Sequence, residues 1–360
     1  MRGARAYSGV DPYTGLGRTI NIEAGVIQSD EPCIAEGLPI FSPGLIDLQV
    51  NGYGGHDLND GELSAGTVEA LSEDLCRVGI AAYLPTLITA DKISICRRLS
   101  AIREASEKLP YSRQMIAGIH IEGPHISSKD GPRGAHPREH IRPPSMEEFE
   151  SWQEAAGGLV SMITIAPELD GAIDYLREIA KRGVIVALGH SDASEEDIYK
   201  ATDAGARIST HLGNGLAATL PRHPNAVWAQ LAEDRLSASL ILDGHHLPSS
   251  TAQVMIRAKG AERVILVSDS VKFAGMPPGR YTSPIGGDVE VFSNGRVSIF
   301  GDKFLAGSGV SLLKIISNFS NLTGLPFCSG VAMATKNPAK FLNRSVDLKP
   351  GKRADFILFD

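Results

Sequence analysis

The 360-residue chain is poor in cysteine, and its four, Cys33, Cys76, Cys96 and Cys328, are widely spaced with no C-x-x-C pair. Such spacing excludes a disulfide framework and a thiolate metal cage, and it fits a reducing compartment. No apolar run approaches the length of a membrane span. The opening stretch MRGARAYSGVDPYTG has early arginines but no apolar core behind them, so no signal peptide is expected and the cytoplasm is the expected location. A basic excess is missing too: 35 Lys and Arg stand against 42 Asp and Glu, a net charge of -7. Nothing there would neutralise a polyanion, which argues against nucleic acid, although one or two local cations would suffice for an anionic small molecule. Internal repeats and low-complexity tracts are absent, and no G-x-G-x-x-G follows the first strand candidate.

What the chain does have is rhythm. Apolar strand candidates alternate with helical stretches: GLIDLQVN, AAYLPT (81–86), QMIAGIHIE (114–122), VSMITIAP (160–167), VIVALGH (184–190), RISTHLG (207–213), SASLILDG (237–244) and RVILVSDS (263–270). Between them run segments such as DKISICRRLSAIREASEKL and SMEEFESWQEAA, the second with Ser145 and Glu148 spaced as a capping box. The run from Met115 to Ile119 leaves no room for a helix ahead of His120-Ile121-Glu122. Near-continuous apolar strands joined by helices predict parallel β/α units buried on both faces. Eight such units make a closed (β/α)8 TIM-like barrel; an open doubly wound sheet is the rival, and it usually has fewer strands.

Two stretches break the rhythm. Residues 271–306 carry a hairpin signal at Ser293-Asn294-Gly295 and are expected to lie over the barrel mouth. The tail closes on FILFD, a strand with no barrel partner left. It should pair with the short, Gly- and Pro-interrupted strands at the other end of the chain. Residues 1–42 plus 343–360 would then form a small β-sandwich-like domain, and 43–342 the barrel.

In a barrel of this kind the C-terminal strand ends converge on the face where chemistry sits. Those ends carry Gln49 and Asn51, Glu122, His190, His211, Asp243 with His245 and His246, and Asp269. One strand-end histidine is ordinarily a hydrogen-bonded structural residue. Five ends closing in His, Glu or Asp are costly to bury without a partner, and a divalent metal is the simplest one. A carboxylate with two imidazoles from different strands makes an open His2Glu set, holding a water whose pKa the metal lowers towards ~7. Asp269 could take that proton and return it to a leaving amine. His120 shares a strand face with Glu122 and reads as its support, whereas His56, His125, His140 and His223 read as surface or structural loop histidines. Gln49 and Asn51 either line a pocket or cap their strand.

The blocks PGLIDLQVNGYGG, GIHIEGPHIS followed by GAHP, TIAPE, LGHSDAS, STHLGNG, LVSDS, LAGS, NPAKFL and PGKRADFILFD carry a further reading. In this order, over nearly the whole chain, they resemble the N-acetylglucosamine-6-phosphate deacetylases of the amidohydrolase superfamily. The resemblance implies Glu122, His190 and His211 as metal ligands, Asp269 as the catalytic aspartate, and His136 as the group that polarises the acetyl carbonyl. It implies one divalent ion per chain, zinc first, with iron, manganese and cobalt as alternatives. Substrate contacts carry over to Gln49, Asn214, Gly215, His246 and Leu305. A homodimer is implied as well, in which Arg222 reaches the neighbouring active site to bind phosphate, a task that suits a guanidinium; read without the family, Arg222 is a solvated surface charge.

The chain departs from the family's pattern at three places. Its first strand ends in Gln-x-Asn where many amidohydrolases have His-x-His, and no strand-end lysine is available to carbamylate, so one metal is expected. Gly213 and Gly215 stand where an aromatic and an alanine are usual, and Ser270 replaces an alanine ahead of a divergent 271–286 segment. The expected activity is metal-dependent hydrolysis of the acetamide of an N-acetylated amino-sugar phosphate, N-acetylglucosamine 6-phosphate to glucosamine 6-phosphate plus acetate. The alternatives are an amidohydrolase of other specificity (another N-acetyl hexosamine, a cyclic amide hydrolase or a deaminase) and a catalytically silent sugar-phosphate binder.

Overall fold

The computed structural model describes residues 4–283, 287–301 and 305–360; the first three residues of the N-terminal stretch and two short parts of the 271–306 segment lie outside them. Eight strands form one sheet in which every neighbour in space is a neighbour in sequence. They are Leu45–Val50, Ile80–Ile88, Ile119–Glu122, Val160–Ile165, Ile185–Leu188, Ala206–Ser209, Ser237–Leu240 and Val264–Leu266, parallel throughout. Ile46, Leu48, Leu84, Met162, Ile208, Ile241, Ile265 and Val267 pack into the barrel interior. The opposite strand faces bury against helices such as Ala65–Arg77, Lys92–Lys108 and Met146–Ala156. This is the double burial that continuous apolar strands require.

The second strand runs two residues past its apolar run and the third ends with its own, but the last five strands stop short of the runs that announce them. Their last residues leave the ladder, and His190, His211 and Asp269 take left-handed backbone conformations there (φ 51°, 28° and 47°). Non-glycine residues adopt that region at a cost and concentrate at functional sites.

The seam between the last strand and the first is sealed unusually. The backbone bonds Asp269 N–H to Gln49 O (3.0 Å) and Asn51 N–H to Ser270 O (2.9 Å) close its upper end. Below them the buried Asp47 carboxylate accepts the N–H groups of Ser268 (3.2 Å) and Gln49 (3.3 Å). Lower still, Ile46 N–H turns away to the carbonyl of Ala334.

Some local expectations need correction. A short helix, Pro110–Met115, occupies the space before the third strand, with Pro at its start; Gly118, at φ 149°, then redirects the chain into Ile119–Glu122. Ser145 does accept the Glu148 N–H, but the Glu148 carboxylate turns to the Arg142 guanidinium (3.0 and 3.1 Å), so only half of a capping box forms. A complete one caps Glu195–Ala204, where Ser194 and Asp197 satisfy each other. Helices Ala226–Ala232 and Leu312–Thr323 were not foreshadowed by the rhythm.

The hairpin at 293–295 belongs to an antiparallel sheet of Gly279–Ser283, Gly287–Val291, Arg296–Ile299 and Leu305–Ser308, cored by Phe273, Val289, Val291 and Val297. At the far end, Phe356–Phe359 pairs antiparallel with Ile40–Pro43 and completes a five-stranded sheet with Arg5–Val10, Gly17–Glu23 and Val26–Cys33. Ile20, Ile27, Phe41 and Leu348 form its core. Among the described residues no helix is long and apolar enough to cross a membrane.

Candidate active site

A cavity of about 790 Å3 opens at the C-terminal end of the barrel strands, between the strand ends and the inner surface of the insertion sheet. On its floor three lone-pair-bearing atoms converge. Glu122 Oε1 lies 2.9 Å from His211 Nε2 and 3.3 Å from His190 Nε2, and the two imidazole nitrogens are 3.0 Å apart. All three residues are buried. Burial alone would raise the Glu122 carboxyl, but its bonds to His190 and His211 hold it well below the usual range; the same carboxylate keeps His211 above its ordinary value against burial. A tetrahedral ion about 2.0–2.2 Å from N and O ligands separates them by about 3.3 Å, so the spacing fits a metal donor set closely. Donor atoms of Glu122, His136 and His190 also lie within 4.8 Å of one another. The tighter contacts single out His211 over His136 as the third member.

Each donor is held from behind. The Pro132 carbonyl lies 2.9 Å from His190 Nδ1. A carbonyl can only accept, so Nδ1 carries a proton, and in the neutral imidazole Nε2 has its lone pair available for an ion beside Glu122. Gly215 permits this placement, because a Cβ there would sit 2.9 Å from the His190 ring at a backbone φ of 59°. Gln49 donates its amide to Glu122 Oε1 (2.9 Å) and is 1% exposed. It therefore supports the carboxylate and does not line the cavity.

His136 is buried with Nδ1 2.8 Å from the Thr89 hydroxyl, and its ring centroid is 4.3 Å from that of His190. Burial, then the neighbouring His190, lowers its pKa to about 3, so it is neutral near pH 7. With Thr89 as donor, its ring proton sits on Nε2. Asp269 is fixed by Asn51 Nδ2 at 2.7 Å. Burial and the Glu122 charge push its carboxyl up to about 6, the range of a working general base.

The remaining expected contacts divide. Asn214, Gly215, His246 and Leu305 line the cavity. His246 Nδ1 is bonded to Asp243 at 2.7 Å, which orients its ring. Arg222 is exposed on the loop after the sixth strand and is not among the cavity-lining residues. His120 is fully buried between Thr164 (2.8 Å) and Thr86 (3.4 Å), beneath Glu122. His125 is structural but not a surface residue: it is fully buried and stacks on Trp152 at 5.3 Å.

Sequence reasoning missed Thr89, Asp243 as the His246 partner, Pro132 as the His190 partner, and Lys272. The last lines the cavity with its Nζ 2.9 Å from Asp60 and 3.5 Å from Asp57. Only Asp243 left a visible trace, in the ILDGHH run; the other pairings join residues far apart in the chain.

A barrel with this donor cluster at its mouth defines a metal-handling hydrolase, and the chain belongs to the Amidohydrolase family, whose model matches residues 40–360. Its relatives include deacetylases. It is 33% identical over 324 residues to the N-acetylglucosamine-6-phosphate deacetylase of Bacillus subtilis (strain 168), covering 89% of this chain and 80% of that protein. It is 32% identical over 351 residues to the N-acetylgalactosamine-6-phosphate deacetylase of Escherichia coli O157:H7, covering 95% and 90%. The crystal structure of N-acetyl-D-glucosamine-6-phosphate deacetylase from Mycobacterium smegmatis superposes with a TM-score of 0.86 at 26% identity, covering 99% of this chain and 95% of that one.

Proposed function

We propose that this protein hydrolyses the acetamide of N-acetylglucosamine 6-phosphate, giving glucosamine 6-phosphate and acetate, as a cytoplasmic, zinc-dependent homodimer. The observation that carries this reading is the convergence of Glu122, His190 and His211 in the cavity that also contains Asp269 and His136. Glu122, His190 and His211 hold the single ion, which when bound supplies Lewis acidity and lowers the pKa of water. A second ion is disfavoured because the amides of Gln49 and Asn51, bonded to Glu122 and Asp269, stand where paired histidines would be needed.

The protein's own groups do the rest. Asp269, ionised above about pH 6, accepts a proton from the attacking water and delivers it to the departing amine. Neutral His136 donates from Nε2 to the acetyl carbonyl oxygen and stabilises the charge that develops there. His246, oriented by Asp243, contacts the sugar phosphate together with Asn214, Gly215 and Leu305. Arg222, exposed and outside its own subunit's cavity, reaches the phosphate in the neighbouring subunit.

A deacetylation screen across phosphorylated and free N-acetyl hexosamines tests the substrate. The expected order places gluco 6-phosphate first, then the galacto and manno epimers, with free sugars far behind. Galacto 6-phosphate outrunning gluco would reassign the epimer, and ammonia in place of acetate would reassign the reaction.

A further inference from the structure

The first barrel strand ends in two amides, and they differ in what they leave over. Gln49 is fully enclosed beneath Glu122. Asn51 lines the cavity, is 9% exposed, and donates through Nδ2 to Asp269 Oδ1 at 2.7 Å. Its own Oδ1 is buried and accepts no hydrogen bond among the described residues. The amide cannot turn over to correct this, because Oδ1 would then face the Asp269 carboxylate. The backbone that carries the side chain is fixed as well: Asn51 N–H is bonded to Ser270 O (2.9 Å), and Asn51 O accepts from Leu58 N–H (3.0 Å). A buried, unpaired acceptor is destabilising unless it meets a donor. This one is held rigidly on the wall of a substrate cavity.

We infer that Asn51 Oδ1 receives the N–H of the substrate's acetamide and so positions the scissile nitrogen beside Asp269. The inference rests on the deacetylase reading. Oδ1 and Nδ2 share one planar amide, and Nδ2 already touches Asp269. A nitrogen hydrogen-bonded to Oδ1 therefore stands next to the carboxylate that must deliver its proton as the C–N bond breaks. Asn51 is thus a positioning residue with two contacts, one to the acid–base group and one to the substrate.

An ester analogue separates this role from a merely structural one. 2-O-Acetylglucose 6-phosphate presents the same acetyl carbonyl but an oxygen where the amide has N–H. Removing the side chain in Asn51→Ala disturbs Asp269 for both substrates, and more for the amide, whose departing amine needs the proton. Asp269→Glu, which displaces the acid–base group and keeps Asn51, measures that part, and only Asn51→Ala adds to it the loss of the N–H contact. Beyond the difference that Asp269→Glu shows, metal-loaded Asn51→Ala should lose roughly 10- to 100-fold more kcat/KM on N-acetylglucosamine 6-phosphate than on the ester. Its thermal midpoint and bound-ion content are checked alongside. An excess loss on the amide no larger than that of Asp269→Glu would overturn the inference, and so would loss of the bound ion in Asn51→Ala, which would assign Oδ1 to the metal. Wild-type protein that releases no acetate from the amide would instead overturn the deacetylase reading itself.

Discussion

Asp269 sits at left-handed φ, is tied to Asn51, and is raised to about 6 by burial and by the Glu122 charge. A base works only when ionised, so kcat/KM should climb as pH rises through its pKa and level off above it. A cation bound beside Glu122 offsets part of the charge that raises Asp269, so the midpoint is expected at or below about 6. A rate that falls between pH 5 and 7 would contradict the assignment. Asp269→Asn should lose on the order of 10²–10⁴-fold in rate with its ion content unchanged, since the acid–base group goes and the ligands stay. His136→Ala should lose on the order of 10²–10³-fold in kcat, again with the ion retained, because its Nδ1 is bonded to Thr89. At this scale the strand-end rule brings Glu122, His190, His211 and Asp269 to one cavity, together with Asn51, His245 and His246, and it does not by itself assign their roles. Thr89 and the Pro132 carbonyl were illegible: a threonine in LPTLIT and a backbone oxygen in a loop look the same whether or not an imidazole folds against them.

The elements that carry these residues were mostly legible, because double burial makes each barrel strand a near-continuous apolar run. The seam was not. No periodicity signals that Asp47 will substitute a carboxylate for a missing ladder partner between the last and first strands. Burial pushes the Asp47 carboxyl up to about 7 against the N–H bonds from Ser268 and Gln49. The folded state therefore binds this proton more tightly than the unfolded chain, whose carboxyl titrates near roughly 3.9. The stability it contributes is complete below about pH 4 and is lost as pH rises through about 7, by at most about 4 kcal/mol. Asp47→Asn, neutral at every pH, should flatten the pH dependence of unfolding between 4 and 7. Denaturant titrations across that range measure the change, and an unchanged slope would refute the seam's role. Glu148 shows how tertiary contact overrides a local motif: the half-buried Arg142 guanidinium outcompetes the helix's own N-terminal N–H for its carboxylate.

For the whole molecule the open matter is assembly. Arg222 lies on an exposed loop with Trp228 nearby in sequence, itself 50% exposed, and neither lines the cavity of its own subunit. If Arg222 acts across a dimer, Arg222→Ala should raise KM for the phosphorylated sugar and leave turnover of the free sugar unchanged. Mixing that variant with Asp269→Asn should restore activity, because one site in each mixed dimer then has both an intact Asp269 and an intact Arg222. No recovery on subunit exchange would rule out Arg222 acting across a dimer. The chain's two ends meeting in one sheet was legible as an unpaired terminal strand, whereas a partner subunit leaves no comparable mark in a single sequence. The most direct measurement is acetate released per N-acetylglucosamine 6-phosphate consumed, followed as bound metal is stripped and returned. One acetate per sugar, lost on chelation and restored by one equivalent of zinc, is expected from a single ion held by Glu122, His190 and His211. Tight binding of the sugar phosphate by metal-loaded protein, without acetate, would contradict it.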